Sequence, residues 1–324
     1  MKSLLSACVL ALAPVACITA FAQGYPAKPV RIMVGYAPGG GVDTTARMVG
    51  QALNELWGTP VVIENRPGAA GNLATEATAK APPDGYTLVL CNIGSHAVTP
   101  ARFMKKLSYD PIRDFAFPSM IGGVPNLFMV HPSFPAKTLK QFIVYAKANP
   151  GKVNFGSSGV GASPHLSIEL LKIMTGINIV HVPYKGAAVA LSDAISGHIE
   201  ASVGNLAGAP LAAAKSGRVR ALGVTSARRN KQLPDVPTFA EAGVPGYDVT
   251  GWYGICTQSK VPQPILTKLN ADLHKVLAGP LKARLEEQGI DVTPSTPEQF
   301  ATHVKSEIDK WTKVVAAAKL EGDF

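Results

Sequence analysis

The most constraining feature of this sequence is a glycine-rich loop between a short apolar run and an amphipathic segment. Residues 36–43 read YAPGGGVD and follow 30–34, VRIMV, whose continuous apolar character predicts a buried strand. Apolar side chains then recur at helical spacing, which predicts a helix capped by Asp43 and stopped by Gly58. A strand, a glycine turn and a helix start in this order indicate an α/β fold.

A second loop of the same type lies far along the chain. Residues 155–163, FGSSGVGAS, lead into another helical pattern, with Ser163 as the predicted N-cap and Pro164 as the first helical residue. Backbone N–H groups at a helix N-terminus favour an anion, because the helix dipole adds partial positive charge there. Two such loops predict two lobes that face one anionic ligand.

The order of strands and helices supports a division into two lobes. Strands alternate with helices at a spacing that predicts parallel sheets with helices on their faces. The pattern restarts near residue 121, with a strand expected at 127–130. We therefore expect lobe 1 to comprise residues 23–121 and 247–324, and lobe 2 to comprise residues 122–246. A chain of 324 residues with 47% hydrophobic content is long enough to build both cores.

The N-terminus predicts export. Lys2 precedes an apolar stretch that closes with an A-x-A pattern at Ala22, so residues 1–22 are expected to be a signal peptide cleaved near Ala22 and Gln23. A lipid anchor at Cys17 is the second reading. The formal net charge of +9 favours acidic small molecules or a membrane surface. Basic residues are scattered singly, which argues against nucleic acid.

The cysteines and histidines predict no metal site. Cys91 and Cys256 remain after cleavage, both in apolar, strand-like runs. In an oxidising compartment they could pair, but two buried free thiols are an equal alternative, because the sequence does not show their distance. No CxxC occurs, and the seven histidines show no metal-ligand spacing.

Polar residues at strand ends and helix starts complete the candidate site, since ligands of open α/β sheets bind beyond the carboxyl ends of strands. Serine hydroxyls in the second loop add donors to its backbone N–H groups, and both kinds of donor suit a carboxylate. For each glycine the structural alternative is a tight turn, and for the aspartate it is helix capping alone. The candidate ligand contacts are Tyr36, Pro38, Gly39, Gly40, Gly41, Asp43, Asn92, Ser157, Ser158, Gly159, Gly161, Ser163, His165 and Asn205.

Enzyme motifs are weak. The second loop contains no GxSxG elbow, and no GK[ST] phosphate loop occurs. A dinucleotide fingerprint lacks its third glycine, since Thr44 stands there, and export disfavours a nicotinamide cofactor. No cofactor is expected. A secreted serine hydrolase that uses Ser157 or Ser158 remains the main alternative function.

Five segments in this order resemble the substrate-binding proteins of the tripartite tricarboxylate transporter family, the Bug-type periplasmic receptors. They are 36–43, YAPGGGVD; 64–72, ENRPGAAGN; 83–88, PDGYTL; 182–186, VPYKG; and 233–243, LPDVPTFAEAG. The resemblance covers essentially the whole mature chain. It implies a two-lobed periplasmic binding protein fold, type II-like, without catalysis. It also implies that the two glycine loops grip a ligand carboxylate, partly through ordered waters, and that a membrane-embedded transporter pair is the partner.

One departure concerns the first loop, where Gly41 and Val42 stand at places that often hold a polar or small residue in the family. The backbone role of the loop should persist, while the side-chain selectivity can differ. Ligands in the family include di- and tricarboxylates, acidic amino acids and aromatic carboxylates, and membership does not select among them. We expect a monomeric receptor that delivers its ligand to a transporter. A receptor that senses the ligand without transporting it is a further alternative.

Overall fold

The computed structural model describes residues 24–103 and 107–317. The predicted signal peptide, its cleavage site and Cys17 lie outside these residues. The described strands are β1 (Val30–Val34), β2 (Val61–Asn65), β3 (Thr87–Asn92), β4 (Phe115–Val130), β5 (Asn154–Ser157), β6 (Val180–Pro183), β7 (Ala201–Asn205), β8 (Arg220–Val224), β9 (Thr250–Gln258) and β10 (Asp291–Val292). The described helices are α1 (Gly41–Trp57), α2 (Asn72–Ala79), α3 (Thr99–Phe103), α4 (Leu139–Ala148), α5 (Ser163–Thr175), α6 (Ala187–Ile195), α7 (Ala209–Lys215), α8 (Gln263–Ala278), α9 (Pro280–Glu287) and α10 (Pro297–Ala317).

The strands form two sheet regions, one in each lobe. In lobe 1, β1 lies between β2 and β3 in parallel register, and β9 pairs antiparallel with β3. In lobe 2, β5 lies between β6 and β7, again in parallel. The expected strand at 30–34 is confirmed. The prediction of parallel pairing holds within these groups but is wrong for β4 and β9, which run antiparallel to their neighbours.

The long strand β4 belongs to both lobes. Its first part pairs with β9 as far as Pro125, and its last residues, from Asn126 onward, pair with β7 and β8. The sequence predicted only residues 127–130 as a strand, which is too short. Pro118 and two glycines interrupt the apolar pattern before that point, and the structure accommodates them with shifts of register against β9. The lobe boundaries expected after residues 121 and 246 stay a prediction.

Helices cover the sheet faces because each has one apolar stripe. In α1, Ala46, Val49 and Leu53 are fully buried, and Gly58 ends the helix in a left-handed conformation as predicted. Leu269 and Leu273 of α8 are buried in the same core. None of the described helices combines the length and the apolar character required to cross a bilayer.

A disulfide joins two neighbouring strands of lobe 1. Cys91 in β3 and Cys256 in β9 are bonded, with their Cα atoms 5.8 Å apart. Both residues are fully buried. The pairing that the sequence left open is therefore present in the structure, and it closes a loop with a sequence separation of 165 residues.

Candidate ligand-binding site

The first glycine-rich loop connects the end of β1 to the start of α1. The helix begins at Gly41 with Gly40 as its N-cap, so the prediction of Asp43 as the N-cap is wrong. Gly39 has a φ of 88°, a left-handed conformation that glycine adopts without steric cost, and this turn brings the chain into the helix before Asp43. Gly40 and Gly41 are buried, whereas Pro38 and Gly39 are exposed on the outer side of the loop.

Asp43 lies in the first turn of α1 and holds the loop in place. Its carboxylate accepts hydrogen bonds from Gly39 N at 3.0 Å, Arg47 Nε at 2.9 Å and Asn65 Nδ2 at 2.8 Å. Burial disfavours the charged form, but these hydrogen bonds and the Arg47 charge outweigh it, so the pKa of Asp43 lies below its ordinary value. The bond to Asp43 also occupies the N–H of Gly39, which is therefore not left for a ligand.

Replacing Asp43 by asparagine should destabilise the protein more at neutral pH than in acid. The pKa of Asp43 is lower in the folded protein than its ordinary value of 3.8. The ionised carboxylate therefore stabilises the fold above that value, and this stabilisation is lost as the pH falls through the folded pKa. Loss of hydrogen bonds to a buried charge costs about 1–3 kcal/mol. Guanidinium unfolding at about pH 7 and about pH 2.5 measures the change, with the exposed Asp309→Asn as control. An equal loss at both pH values would contradict this role.

The start of α1 offers hydrogen-bond donors in an enclosed position. The backbone N–H groups of Gly40 and Gly41 make no hydrogen bond with another described residue. Such groups in the first turn lack an intrahelical acceptor, and the helix dipole makes them favourable to an anion. Space beside Gly41 is small: a Cβ atom there would lie 2.9 Å from Ala207 Cβ and 2.9 Å from Tyr253 Oη.

The second glycine-rich loop connects β5 to α5. Gly159 and Gly161 have φ values of 125° and 82°, and Ala162 N donates to Gly159 O at 3.2 Å to close the turn. The helix begins at Ser163 with Ala162 as its N-cap, so the predicted cap at Ser163 is wrong. The closed turn places Ala162 in the extended conformation that a cap requires, and Ser163 is already helical.

The adjacent serines of this loop differ in what they contact. The hydroxyl of Ser157 is hydrogen-bonded to His181 Nε2 at 2.7 Å and accepts from Gly159 N at 3.2 Å. Ser157 is fully buried. Ser158 is 6% exposed, and its hydroxyl makes no hydrogen bond within the part of the chain that the structure describes. Ser158 is therefore the hydroxyl of this pair that can serve a ligand.

Two stacked histidines support the second loop from behind. The rings of His165 and His181 lie 4.0 Å apart, and His165 Nδ1 accepts from Gly161 N at 3.2 Å. Burial, with a smaller effect from the Lys172 charge, lowers the pKa of His181 to about 4, so this ring is neutral near pH 7. These contacts give His165 a part in ordering the loop.

A chain of buried amides connects the site across three elements. Asn205 Nδ2 at the end of β7 donates to Asn126 Oδ1 at 2.9 Å, and Asn126 Nδ2 donates to Ser163 Oγ at 2.9 Å. Sequence reasoning included Asn205 and Ser163 but missed Asn126, which is fully buried in β4. The sequence signal that points to Asn126 is an amide side chain inside an apolar strand pattern.

Asn92 and Tyr36 fix the end of β3 beside the first loop. Asn92 Oδ1 accepts from Gly94 N at 2.8 Å and from Ser95 N at 3.3 Å. The Tyr36 hydroxyl donates to Ala70 O at 2.7 Å and lies 3.4 Å from Asn92 Oδ1. Burial raises the pKa of Tyr36, which keeps the hydroxyl protonated as a donor.

The first loop touches lobe 2 directly. Ala37 N donates to Lys185 O at 3.0 Å, and Ala209 N donates to Gly39 O at 3.2 Å. These bonds hold the loop against the starts of α6 and α7. The first loop therefore lies at the boundary between the lobes.

Sequence reasoning also missed two buried hydroxyls at this boundary. Tyr253 Oη and Thr99 Oγ1 have no hydrogen-bond partner among the described residues. The first lies beside Gly41, and the second lies 3.5 Å from the Cβ position of Gly161. Because an unpaired buried polar group is costly, each hydroxyl is a candidate contact for a ligand or a water.

Comparison with known proteins identifies the family. Residues 45–320 match the family described as "Tripartite tricarboxylate transporter family receptor". Protein BugT of Bordetella pertussis is 34% identical over 305 residues, which is 93% of this chain and 93% of BugT. The family match contains the second glycine loop and begins just after the first, at residue 45.

Solved structures show the same fold. The R. palustris protein Rpa4515, solved with adipate, is 36% identical and superposes with a TM-score of 0.88 over 91% of this chain and 98% of its own. MatC from Rhodopseudomonas palustris, with bound malate, is 32% identical, with a TM-score of 0.85 over 90% of this chain and all of its own. These comparisons confirm the two-lobed fold of periplasmic binding proteins. The chain belongs to the tripartite tricarboxylate transporter receptor family.

Proposed function

We propose that this protein captures a small carboxylate between the loops at 36–43 and 156–163 in the periplasm and delivers it to the membrane subunits of a tripartite tricarboxylate-type transporter. The observation that carries the proposal is the meeting of two buried helix starts at the lobe boundary. α1 contributes the N–H groups of Gly40 and Gly41, and the second loop contributes the hydroxyl of Ser158. Several convergent donors suit a carboxylate, which accepts several hydrogen bonds at once.

Neutral groups supply most of the recognition in this proposal. Arg47 pairs with Asp43, and Arg66 pairs with Glu64 at 2.7 Å, so both guanidinium groups already have a carboxylate partner. The N–H groups at helix N-termini and the hydroxyls then stabilise the negative charge of the ligand. We place aliphatic dicarboxylates first among the ligand classes, because two relatives were solved with adipate and malate.

Closure of the lobes around the ligand completes the mechanism. The hydrogen bonds from Ala37 to Lys185 and from Ala209 to Gly39 cross the lobe boundary, and separation of the lobes would break both. A ligand that contacts both loops binds the closed form better and shifts the equilibrium toward it. The receptor acts as a monomer in this scheme, which light scattering of the purified protein checks.

A thermal-shift panel tests the proposal. It contains mono-, di- and tricarboxylates, acidic amino acids, aromatic carboxylates, their neutral amides and a nicotinamide dinucleotide. A ligand at about 100 times its Kd stabilises the folded protein by about 2.7 kcal/mol. We expect a dicarboxylate to raise the Tm and its diamide to leave it unchanged. Stabilisation by the amide or by the dinucleotide alone would contradict the proposal.

The serine hydrolase remains a second candidate because of one contact. Ser157 Oγ lies 2.7 Å from His181 Nε2, the arrangement of a nucleophile and its base. Full burial of Ser157 argues against it, since a substrate must reach the nucleophile. Hydrolysis of ester substrates that is lost in Ser157→Ala would favour the hydrolase. A sensory role is distinguished by a pull-down of the membrane partner.

A further inference from the structure

Three potential metal ligands lie together in the core of lobe 1. One ligand atom from each of Cys91, His96 and Cys256 lies within 4.8 Å of the other two. All three residues are buried. In the structure the sulfurs are bonded to each other, and a bonded disulfide is not a good ligand for a divalent cation. The cluster becomes a donor set only when that bond is reduced.

The imidazole of His96 has one nitrogen without a partner. Its Nδ1 lies 2.9 Å from Ser95 Oγ, whereas its Nε2 has no hydrogen bond with any described residue. The ring is fully buried, and Phe115 and Phe117 pack around it with centroid distances of 4.7 and 6.4 Å.

We propose that reduction of the Cys91–Cys256 disulfide creates a zinc site formed by the two cysteine sulfurs and His96 Nε2. A dithiol reductant transfers two electrons and two protons to the disulfide, which yields two thiols while the reductant becomes a disulfide. Zinc then binds the two thiolates and the neutral imidazole, and the two thiol protons are released to solvent.

The chemistry of the cluster favours zinc over harder cations. Two thiolates balance the charge of Zn²⁺, so the metal and its sulfur ligands are neutral together in an apolar core. Bonds of about 2.3 Å to sulfur and about 2.0–2.1 Å to nitrogen require ligand atoms roughly 3.5–3.8 Å apart in a tetrahedral arrangement. The Cα separation of 5.8 Å allows the released sulfurs to move to that distance. Three protein ligands with one further position are a known zinc arrangement.

Sequence spacing alone does not indicate this site. Cys91 and His96 are close in the chain, but Cys256 reaches them only through the pairing of β9 with β3. The oxidised and metal-bound forms exclude each other, because the same two sulfurs form either the disulfide or the metal bonds. Either form connects the same two strands.

Cobalt binding by the reduced protein tests the proposal. The protein is unfolded in guanidinium with a trialkylphosphine and refolded without oxygen in the presence of Co²⁺. We expect one equivalent of Co²⁺ to give thiolate-to-cobalt charge-transfer bands and the visible bands of a tetrahedral site, both removed when Zn²⁺ is added. The oxidised protein and the variant Cys91→Ser/Cys256→Ser should give neither.

Two histidine variants separate this site from adventitious binding. His96→Ala should weaken Co²⁺ binding by at least about 10- to 100-fold, the loss seen when residues that only support a metal ligand are removed. His303→Ala is the matched control, because its Nε2 is also buried and unpaired but packs against Trp252 outside the cluster. Equal binding by the two variants would overturn the proposal. It is also overturned if the reduced protein lacks the bands, whether or not it regains its native circular dichroism.

Discussion

Replacing Gly41 by alanine should weaken ligand binding by about 5- to 150-fold. The added Cβ would lie 2.9 Å from both Ala207 Cβ and Tyr253 Oη, distances at which the neighbouring atoms must shift. Overpacking of this kind costs about 1–3 kcal/mol, and every 1.4 kcal/mol is a tenfold change in Kd. The contact with Ala207 penalises the closed form specifically, because Ala207 follows β7 in lobe 2 whereas Gly41 begins α1; the contact with Tyr253 lies within lobe 1. Isothermal titration with the carboxylate found in the thermal-shift panel measures the change.

Two other glycines serve as comparisons. Gly123→Ala in β4 is the matched control, because its Cβ would meet Thr250 Cγ2 at 3.5 Å and Gly251 O at 3.9 Å, both ordinary contacts. Gly40→Ala places its Cβ 3.9 Å from Ala187 and therefore tests contact with the ligand without crowding the lobes. We expect binding by the Gly123 variant to match the unmodified protein. An unchanged Kd in Gly41→Ala would contradict closure around this position.

Removal of the disulfide should lower the free energy of unfolding by about 2–5 kcal/mol, the usual range for a native crosslink. The bond closes a loop with a sequence separation of 165 residues, and a longer loop restricts the unfolded chain more strongly. Guanidinium unfolding of Cys91→Ala/Cys256→Ala gives the change in midpoint. Alanine removes both sulfur ligands as well, so metal binding by the cysteines does not contribute to this measurement.

Reduction provides the control for that measurement. Unmodified protein treated with a phosphine in the presence of a metal chelator should unfold at the midpoint of the double alanine variant. The double alanine variant and the oxidised unmodified protein differ in the crosslink and in two small side chains within the core. If the alanine variant unfolded at the midpoint of the oxidised protein, the disulfide would have no role in stability.

Local sequence patterns predicted much of the fold because they report short-range physics. The strand at 30–34 has a continuous apolar run, and the helix that follows it ends at Gly58, where its pattern predicted the end. The helix starts beside the ligand loops were misplaced for one reason. The pattern favours a polar residue near a glycine turn as the cap, whereas the tight turn in the structure places the cap at glycine or alanine.

The parts of the site that sequence reasoning missed depend on contacts between distant residues. Asn126 joins Asn205 to Ser163 only because β4 lies beside β7 and the start of α5. Tyr253 lies in a strand whose neighbours are apolar, and the position of its hydroxyl against Gly41 follows from the packing of β9 against the start of α1 within lobe 1. The disulfide likewise requires the antiparallel pairing of β3 with β9. No local periodicity carries such information.

The strand shared by the two lobes determines how they can move. Between Pro125 and Asn126, β4 exchanges its partner β9 for β7 and β8, so the backbone ladder has a seam at that point. The sheet on each side of this point is rigid, so twisting of β4 at the seam is the least costly motion. The two lobes then rotate about this short segment, which serves as the pivot. Asn126 lies at the pivot and donates to Ser163 at the start of α5. We therefore expect rotation of the lobes and alignment of the second loop to be mechanically coupled through one amide.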